Sequence, residues 1–184
     1  MSTIPTGGIA GHITADGRGM PPTALSELET LALERRATGG LVLELGAEMG
    51  YSTLVMARVA RMVVSVDWHR GYAGWNAHND TSLTFLYNIK ELRDKVIPMI
   101  GRFEDVLPLL MPASFDFIFL DGGHDELGII FCIEHCRRLV KPGGMVATHD
   151  YGHPLCAEKA VLDGLGIRPL DPVIGSLALL GDLR

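Results

Sequence analysis

The sequence predicts an α/β fold, a doubly wound sheet of seven mostly parallel strands that ends in an antiparallel hairpin. Three observations carry this. Short apolar runs of strand length recur along the chain, segments with helical features separate them, and the last two runs are joined by only five residues, DPVIG. Near-continuous apolar strands with helix-length crossovers are what a parallel sheet needs when helices cover both faces. A parallel crossover takes about a dozen residues, so the five-residue link makes the last pair antiparallel.

The first helix is expected from Thr23, where TALSELETLALERR brings Leu25, Leu28, Leu31 and Ala32 to helical spacing between Pro21–Pro22 and Gly39–Gly40. Strands follow at Leu41–Leu45, Met62–Val66, Val96–Ile100, Phe115–Leu120 and Met145–Thr148, each too short for a buried helix. Helices lie between them at Ser52–Ala60, Thr81–Leu92, Glu104–Leu110 and Asp125–Leu139. A short helix at Ala157–Asp163 and strands at Ile167–Leu170 and Ser176–Leu180 close the chain. At 184 residues there is one domain, expected over 21–184, preceded by a Gly-rich flexible arm over 1–20 that is free to act as a lid.

Composition excludes several function classes. Sixteen Lys and Arg against twenty-two Asp and Glu leave a net charge of -6, which gives no general attraction for phosphate backbones or anionic lipid. Neither nucleic acid nor membrane is an expected partner. The longest apolar run, Ile129–Ile133, is far below the roughly 20 residues of a membrane span. Met1–Gly19 has neither the basic nor the apolar segment of a signal peptide, so cytoplasmic residence is expected. Cys132, Cys136 and Cys156 are odd in number and lack a Cys-x-x-Cys pair, so they read as reduced thiols, mostly core.

In an open parallel sheet, ligands bind beyond the carboxyl ends of the strands. The first strand runs into Glu44-Leu45-Gly46-Ala47-Glu48-Met49-Gly50-Tyr51-Ser52, a glycine-bearing turn that opens a helix. The second ends at Asp67, 21 residues after Gly46, the separation at which an acid meets ribose hydroxyls. A nucleoside-containing cofactor is implied. A nicotinamide dinucleotide would want Gly-x-Gly-x-x-Gly, but Glu48 and Tyr51 occupy the second and third glycine positions, and a carboxylate there repels a pyrophosphate.

ExGxxxGxS at Glu44–Ser52, the acidic strand end at Asp67 and LVKPGG at Leu139–Gly144 resemble the class I S-adenosylmethionine-dependent methyltransferases, over most of the chain. The resemblance implies a Rossmann-like sheet with a reversed last strand and S-adenosylmethionine as cofactor. It places the methionine part at Glu44, Gly46, Gly50, Tyr51 and Ser52 and the ribose at Asp67. Arg102, Phe103 and Glu104 in GRFEDVLP are implied at the adenine, with Trp68 and Asp121 also beside the cofactor. Trp68, Tyr72 and Trp75 are aromatics able to wall a ligand or to anchor a loop.

The fourth strand ends in Asp121-Gly122-Gly123-His124 and the fifth in His149-Asp150-Tyr151-Gly152-His153, so acids and histidines converge at one edge. LDGxH followed by HDY resembles a small-molecule O-methyltransferase subgroup (sugar or natural-product hydroxyls), some members of which hold a divalent metal at these strand ends. Asp121 and Asp150 match the ligand positions. Beside the second acid, metal-holding members carry another acid or an amide where this chain has His149 and Tyr151, a set suited to manganese, iron, zinc or nickel more than magnesium. His124 and His149 are the candidate catalytic bases. A zinc pair of His149 and His153 would need a helix, which Gly152 and Pro154 oppose. His135 with Cys132 and Cys136 reads as a packed helix face.

The expected function is therefore methyl transfer from S-adenosylmethionine to an oxygen of a small-molecule acceptor, assisted by a metal or by a histidine base. The alternatives are a noncatalytic cofactor-binding module and, with less support, a nicotinamide-dependent oxidoreductase. A chain this short has little extra structure for a large acceptor, so either the acceptor is small or a homo-oligomer completes the site.

Overall fold

The computed structural model describes residues 25–71, 80–181 and 183. The expected arm over 1–20, the start of the first helix at Thr23, and Tyr72 and Trp75 lie outside the described residues. Among the described residues, seven strands form one sheet: β1 (Leu41–Leu45), β2 (Met62–Asp67), β3 (Val96–Ile100), β4 (Phe115–Leu120), β5 (Val140–Thr148), β6 (Leu170–Ile174) and β7 (Leu177–Gly181). Their order is β3-β2-β1-β4-β5-β7-β6. The first five pair in parallel, while β7 runs antiparallel to both β5 and β6. The doubly wound expectation, with its reversed hairpin, holds.

Among the described residues, six α-helices, α1 (Glu27–Ala37), α2 (Tyr51–Val59), α3 (Ser82–Ile89), α4 (Phe103–Val106), α5 (Glu126–Leu139) and α6 (Glu158–Gly164), accompany the sheet. Two apolar clusters flank it. One joins α5 residues Ile129, Cys132, Ile133 and Cys136 to Leu43, Leu45, Ile118 and Leu120. The other joins Leu33 of α1, Met56 of α2 and Phe85 of α3 to Val42, Phe117 and Phe119. Successive side chains of a strand point to opposite faces. The runs therefore lack polar alternation because both faces are covered.

Boundaries shift where glycine and proline intervene. KPGG, expected before the fifth strand, lies within β5: its pairing with β4 jumps from Phe115↔Val140 to Phe117↔Met145, a bulge that absorbs the two glycines. DPVIG, expected as a turn, mostly forms β6. Pro172 is tolerated because β6 is the sheet edge, and Ile174↔Leu177 closes the hairpin across Gly175 and Ser176, with Gly175 at φ +61°. Thr81–Leu92 and Glu104–Leu110 each form a short α-helix followed by a 3-10 turn, the second containing Pro108. Among the described residues, no helix is long and apolar enough to cross a membrane.

Candidate active site

The parallel strands deliver their carboxyl ends to one edge, and the ladder continues into the loops there. Gly46 N–H donates to Val66 O, Asp121 N–H to Leu45 O, Gly101 N–H to Asp67 O and His149 N–H to Leu120 O, all at 2.8–3.0 Å. The ends of β1, β2, β3, β4 and β5 thereby share a level, and a cavity of about 1090 Å³ opens above them.

The glycine loop after β1 is fixed from two sides. Gly46 sits at φ +93°, and a Cβ there would stand 2.1 Å from the carbonyl oxygen of Asp121, so only glycine lets the loop lie on the end of β4. Asp67 Oδ2 accepts the N–H groups of Ala47 and Glu48 at 2.7 Å each, and Oδ1 accepts that of His69 at 2.6 Å. Asp67 lies on the cavity wall where its ribose role was expected, and it also shapes the loop.

Glu44 departs from the expected cofactor contact. It is fully buried beneath the loop and does not line the cavity; its carboxylate accepts hydroxyls from Ser52 at 2.6 Å, Thr53 at 2.5 Å and Ser65 at 2.7 Å. Burial pushes its pKa up to about 7, against the opposing pull of the three hydroxyls. The reason is register: Glu44 lies between the inward-facing Leu43 and Leu45 and points to the α2 side, where Ser52 and Thr53 descend from the first turn of the helix. Glu44 thus ties α2 and β2 to β1. Gly50, the residue before α2, has φ +89° and likewise shapes the turn without lining the cavity. Tyr51 and Ser52 do line it.

Beyond the ends of β2 and β3, where the adenine contact was expected, Trp68, Arg102, Phe103 and Glu104 all line the cavity. The Arg102 guanidinium stacks over the Trp68 ring at 4.6 Å, and a Cβ on Gly122 would meet Phe103 Cζ at 3.1 Å. His69 is buried, with Nδ1 3.0 Å from Thr81 Oγ1 and its ring against Phe85. Among the described residues only four non-glycines have positive φ, and three of them, Glu48, His69 and Asp150, line this cavity. Such conformations concentrate where a site is held in a fixed shape.

At the other end, β4 and β5 bring Asp121, His124, His149 and Asp150 together. His149 Nδ1 lies 3.4 Å from Asp121 Oδ1 and 3.3 Å from Asp150 Oδ1, while Nε2 is 3.0 Å from Ser176 Oγ and 3.7 Å from Glu29 Oε1. Burial disfavours the charged ring, but the two aspartates outweigh it and raise its pKa to about 10. Both ring nitrogens are thus engaged, which does not suit the general-base role expected for His149. His124 Nδ1 meets Glu158 Oε1 at 2.7 Å and Asp150 Oδ2 at 3.6 Å. Its pKa is also raised, Glu158 prevailing over burial. Asp121 and Asp150 each bring a donor atom within 4.8 Å of one another and of His124, a spacing open to a divalent ion.

Glu29, Ser176, Cys156 and Glu158 escaped sequence reasoning. Ser26-x-x-Glu29 is legible as a capping box, and Glu29 Oε2 does accept the Ser26 N–H, but Oε1 turns to the Ser176 N–H at 2.8 Å. That contact spans 147 positions and leaves no local signal. Cys132 and Cys136 are core thiols as expected, whereas Cys156 is partly exposed and lines the cavity. His135 packs on Phe131 with Nδ1 bonded to its carbonyl, the packed helix face anticipated. Residues 149–153 form a turn with Asp150 at φ +56° and Gly152 at φ +85°, so no helical histidine pair exists.

A family model described as a methyltransferase domain matches residues 43–151, from β1 to just past β5. Among solved structures the fold is similar to cofactor-bound Rv0187 from MTB, at 24% identity and TM-score 0.64, covering 81% of this chain and 72% of that one. It is also similar to an O-methyltransferase from Bacillus cereus in complex with SAH, at 19% identity and TM-score 0.64 over 88% of this chain and 81% of that one. A third is the O-methyltransferase TomG of Streptomyces achromogenes, involved in tomaymycin synthesis and in complex with SAM, at 20% identity and TM-score 0.62 over 88% and 80%. Because the family match spans more than half of the chain and contains both the glycine loop and the strand ends that build the cavity, this protein belongs to the methyltransferase domain family.

Proposed function

We propose that the protein transfers a methyl group from S-adenosylmethionine to an oxygen of a small-molecule acceptor. The observation that carries this reading is the charge of the cavity. Among the described residues, seven carboxylates line it against two cations, the Arg102 guanidinium and the His149 imidazolium. Such a wall repels a pyrophosphate and favours a sulfonium cation, which supports S-adenosylmethionine over a dinucleotide. The cavity volume, about 1090 Å³, slightly exceeds that of a usual single-ligand pocket and leaves room for an acceptor. The SAH and SAM complexes of similar folds point the same way.

When bound, S-adenosylmethionine supplies an electrophilic methyl carbon on its sulfonium. The chain's residues divide the remaining work. The glycine loop and Asp67 hold the ribose and methionine end, and Trp68, Arg102, Phe103 and Glu104 wall the adenine. Asp121, His124 and Asp150, at the far end of the cavity, meet the acceptor hydroxyl and take up its proton as the oxygen attacks in line, so that the C–O bond forms as the C–S bond breaks. Their donor set also fits a divalent ion, which there would lower the pKa of the acceptor hydroxyl.

Calorimetric titration of the purified chain with S-adenosylmethionine, S-adenosylhomocysteine and NADH tests the cofactor. Binding of the first two in the micromolar range, without NADH binding, is expected; NADH binding alone would sink the reading. Incubation with methyl-labelled cofactor and a panel of hydroxylated small molecules should then yield methyl ethers. Binding without turnover on any acceptor would favour a noncatalytic module.

A further inference from the structure

The ends of β4 and β5 and the start of α6 contain two overlapping triplets with metal-ligand spacing. Asp121, His124 and Asp150 form one and His124, Cys156 and Glu158 the other, each with its donor atoms within 4.8 Å of one another. His124 belongs to both, so a single ion takes one set or the other.

In the first triplet the carboxylates already have a partner, because Nδ1 of His149 approaches Asp121 at 3.4 Å and Asp150 at 3.3 Å. The second differs at one carboxylate oxygen. Glu158 is 1% exposed; Oε1 contacts His124 Nδ1 at 2.7 Å, while Oε2 is buried with no hydrogen-bond partner among the described residues. A buried carboxylate oxygen without a partner is costly, and a cation beside it removes the cost. Cys156 stands two positions earlier on the cavity wall, with Sγ 3.4 Å from His153 Nδ1 and 3.8 Å from Asp150 Oδ2.

We propose that His124, Cys156 and Glu158 form a binding site for a borderline-soft divalent transition ion of the zinc class, distinct from the Asp121 and Asp150 pair and open on one side to the cavity. The donor chemistry decides the metal. One nitrogen, one sulfur and one oxygen suit zinc, while magnesium and calcium want oxygen alone. Three protein ligands with one position left for water or substrate is the pattern of an ion that works on a ligand rather than one that merely braces a fold. Binding breaks the His124–Glu158 hydrogen bond, and the proton it held and the Cys156 thiol proton both pass to solvent. The site goes beyond the proposed methyl transfer and does not require it.

The test uses the full chain, purified without metal-affinity resin, stripped with chelator and titrated with Co²⁺ and then Zn²⁺. One Co²⁺ per chain with a thiolate-to-cobalt charge-transfer band is expected, displaced by Zn²⁺ but not by Mg²⁺. Cys156→Ala should abolish the band and weaken Zn²⁺ binding beyond the roughly 10–100-fold that loss of a residue orienting a ligand costs. Glu158→Gln should weaken it as well, whereas Asp121→Asn should leave the band intact. Cys132 and Cys136 remain in every variant, so loss of the band reports on Cys156 alone. Because Cys156 is only partly buried, in the loop that leads into α6, its variant keeps the test decisive even if Glu158→Gln fails to fold. Absence of bound Co²⁺, Co²⁺ binding without the band, or a band that survives Cys156→Ala would each overturn the site. Cofactor calorimetry on the metal-free chain keeps that outcome separate from the methyl-transfer reading.

Discussion

Replacing Glu44 with glutamine should change how stability depends on pH more than it changes stability itself. Glu44 ionises near pH 7 in the folded chain against an ordinary value of 4.5, because burial beneath the glycine loop outweighs the Ser52, Thr53 and Ser65 hydroxyls. The folded state therefore binds the proton more tightly, and stability falls as pH rises from about 4.5 through about 7. At about 1.4 kcal/mol per unit, the full shift is worth about 3 kcal/mol, of which about 2–3 kcal/mol develops between pH 5 and 8. Glutamine cannot ionise, and the three hydroxyls can rotate to accept from its amide. Urea unfolding of both proteins at pH 5, 6, 7 and 8 should show the variant gaining that amount on the wild type across the range. Taking the difference removes the histidines, whose titration is common to both. Parallel stability curves would refute the argument, since they would mean that Glu44 is already ionised in the folded chain across this range, as it is in the unfolded one.

Three further outcomes follow from the same geometry. Asp67→Ala deprives the Ala47 and Glu48 N–H groups of their shared acceptor; at about 1.5–3 kcal/mol for a charge-assisted bond, S-adenosylmethionine affinity measured by calorimetry should fall about 10–100-fold, and unchanged affinity would remove Asp67 from the cofactor site. Gly46→Ala drives a Cβ to within 2.1 Å of the Asp121 carbonyl at φ +93°, so the urea midpoint should report a loss of about 2–4 kcal/mol, against a negligible change if the loop can move aside. The His149 imidazole, with its pKa raised to about 10, contributes stability that is complete below about pH 6.5 and lost as pH rises towards 10. Its NMR resonances should stay flat from pH 6 to 8 in the wild type and titrate closer to neutrality in Asp121→Asn; titration near 6.5 in the wild type would contradict the ion pairs.

Most of the fold was legible because its signals are local. Near-continuous apolar strands such as Phe115–Leu120, interrupted only by Asp116, report burial on both faces, and a connection too short for a crossover fixes the reversed hairpin. Errors fell where proline and glycine carry two meanings. KPGG became a bulge inside β5, and Pro172 entered β6 because an edge strand needs no ladder bond on its outer side. The placement of the glycine loop and Asp67 at the cavity was legible for a related reason. Glycine where the loop touches β4 and an acid at the end of β2 are properties of single positions at strand ends.

The sequence by itself determined which residues reach the carboxyl edge of the sheet, since strand length and chain order dictate that. Only the tertiary structure decided what those residues do there. It turned Glu44 inward beneath the loop, brought Glu29 from α1 across 147 positions to Ser176, and set Glu158 and Cys156 of the segment after β5 against His124. The physical reason is that side-chain partnership in a buried polar cluster depends on direction and distance to within about an ångström, and chain order carries neither across a crossover.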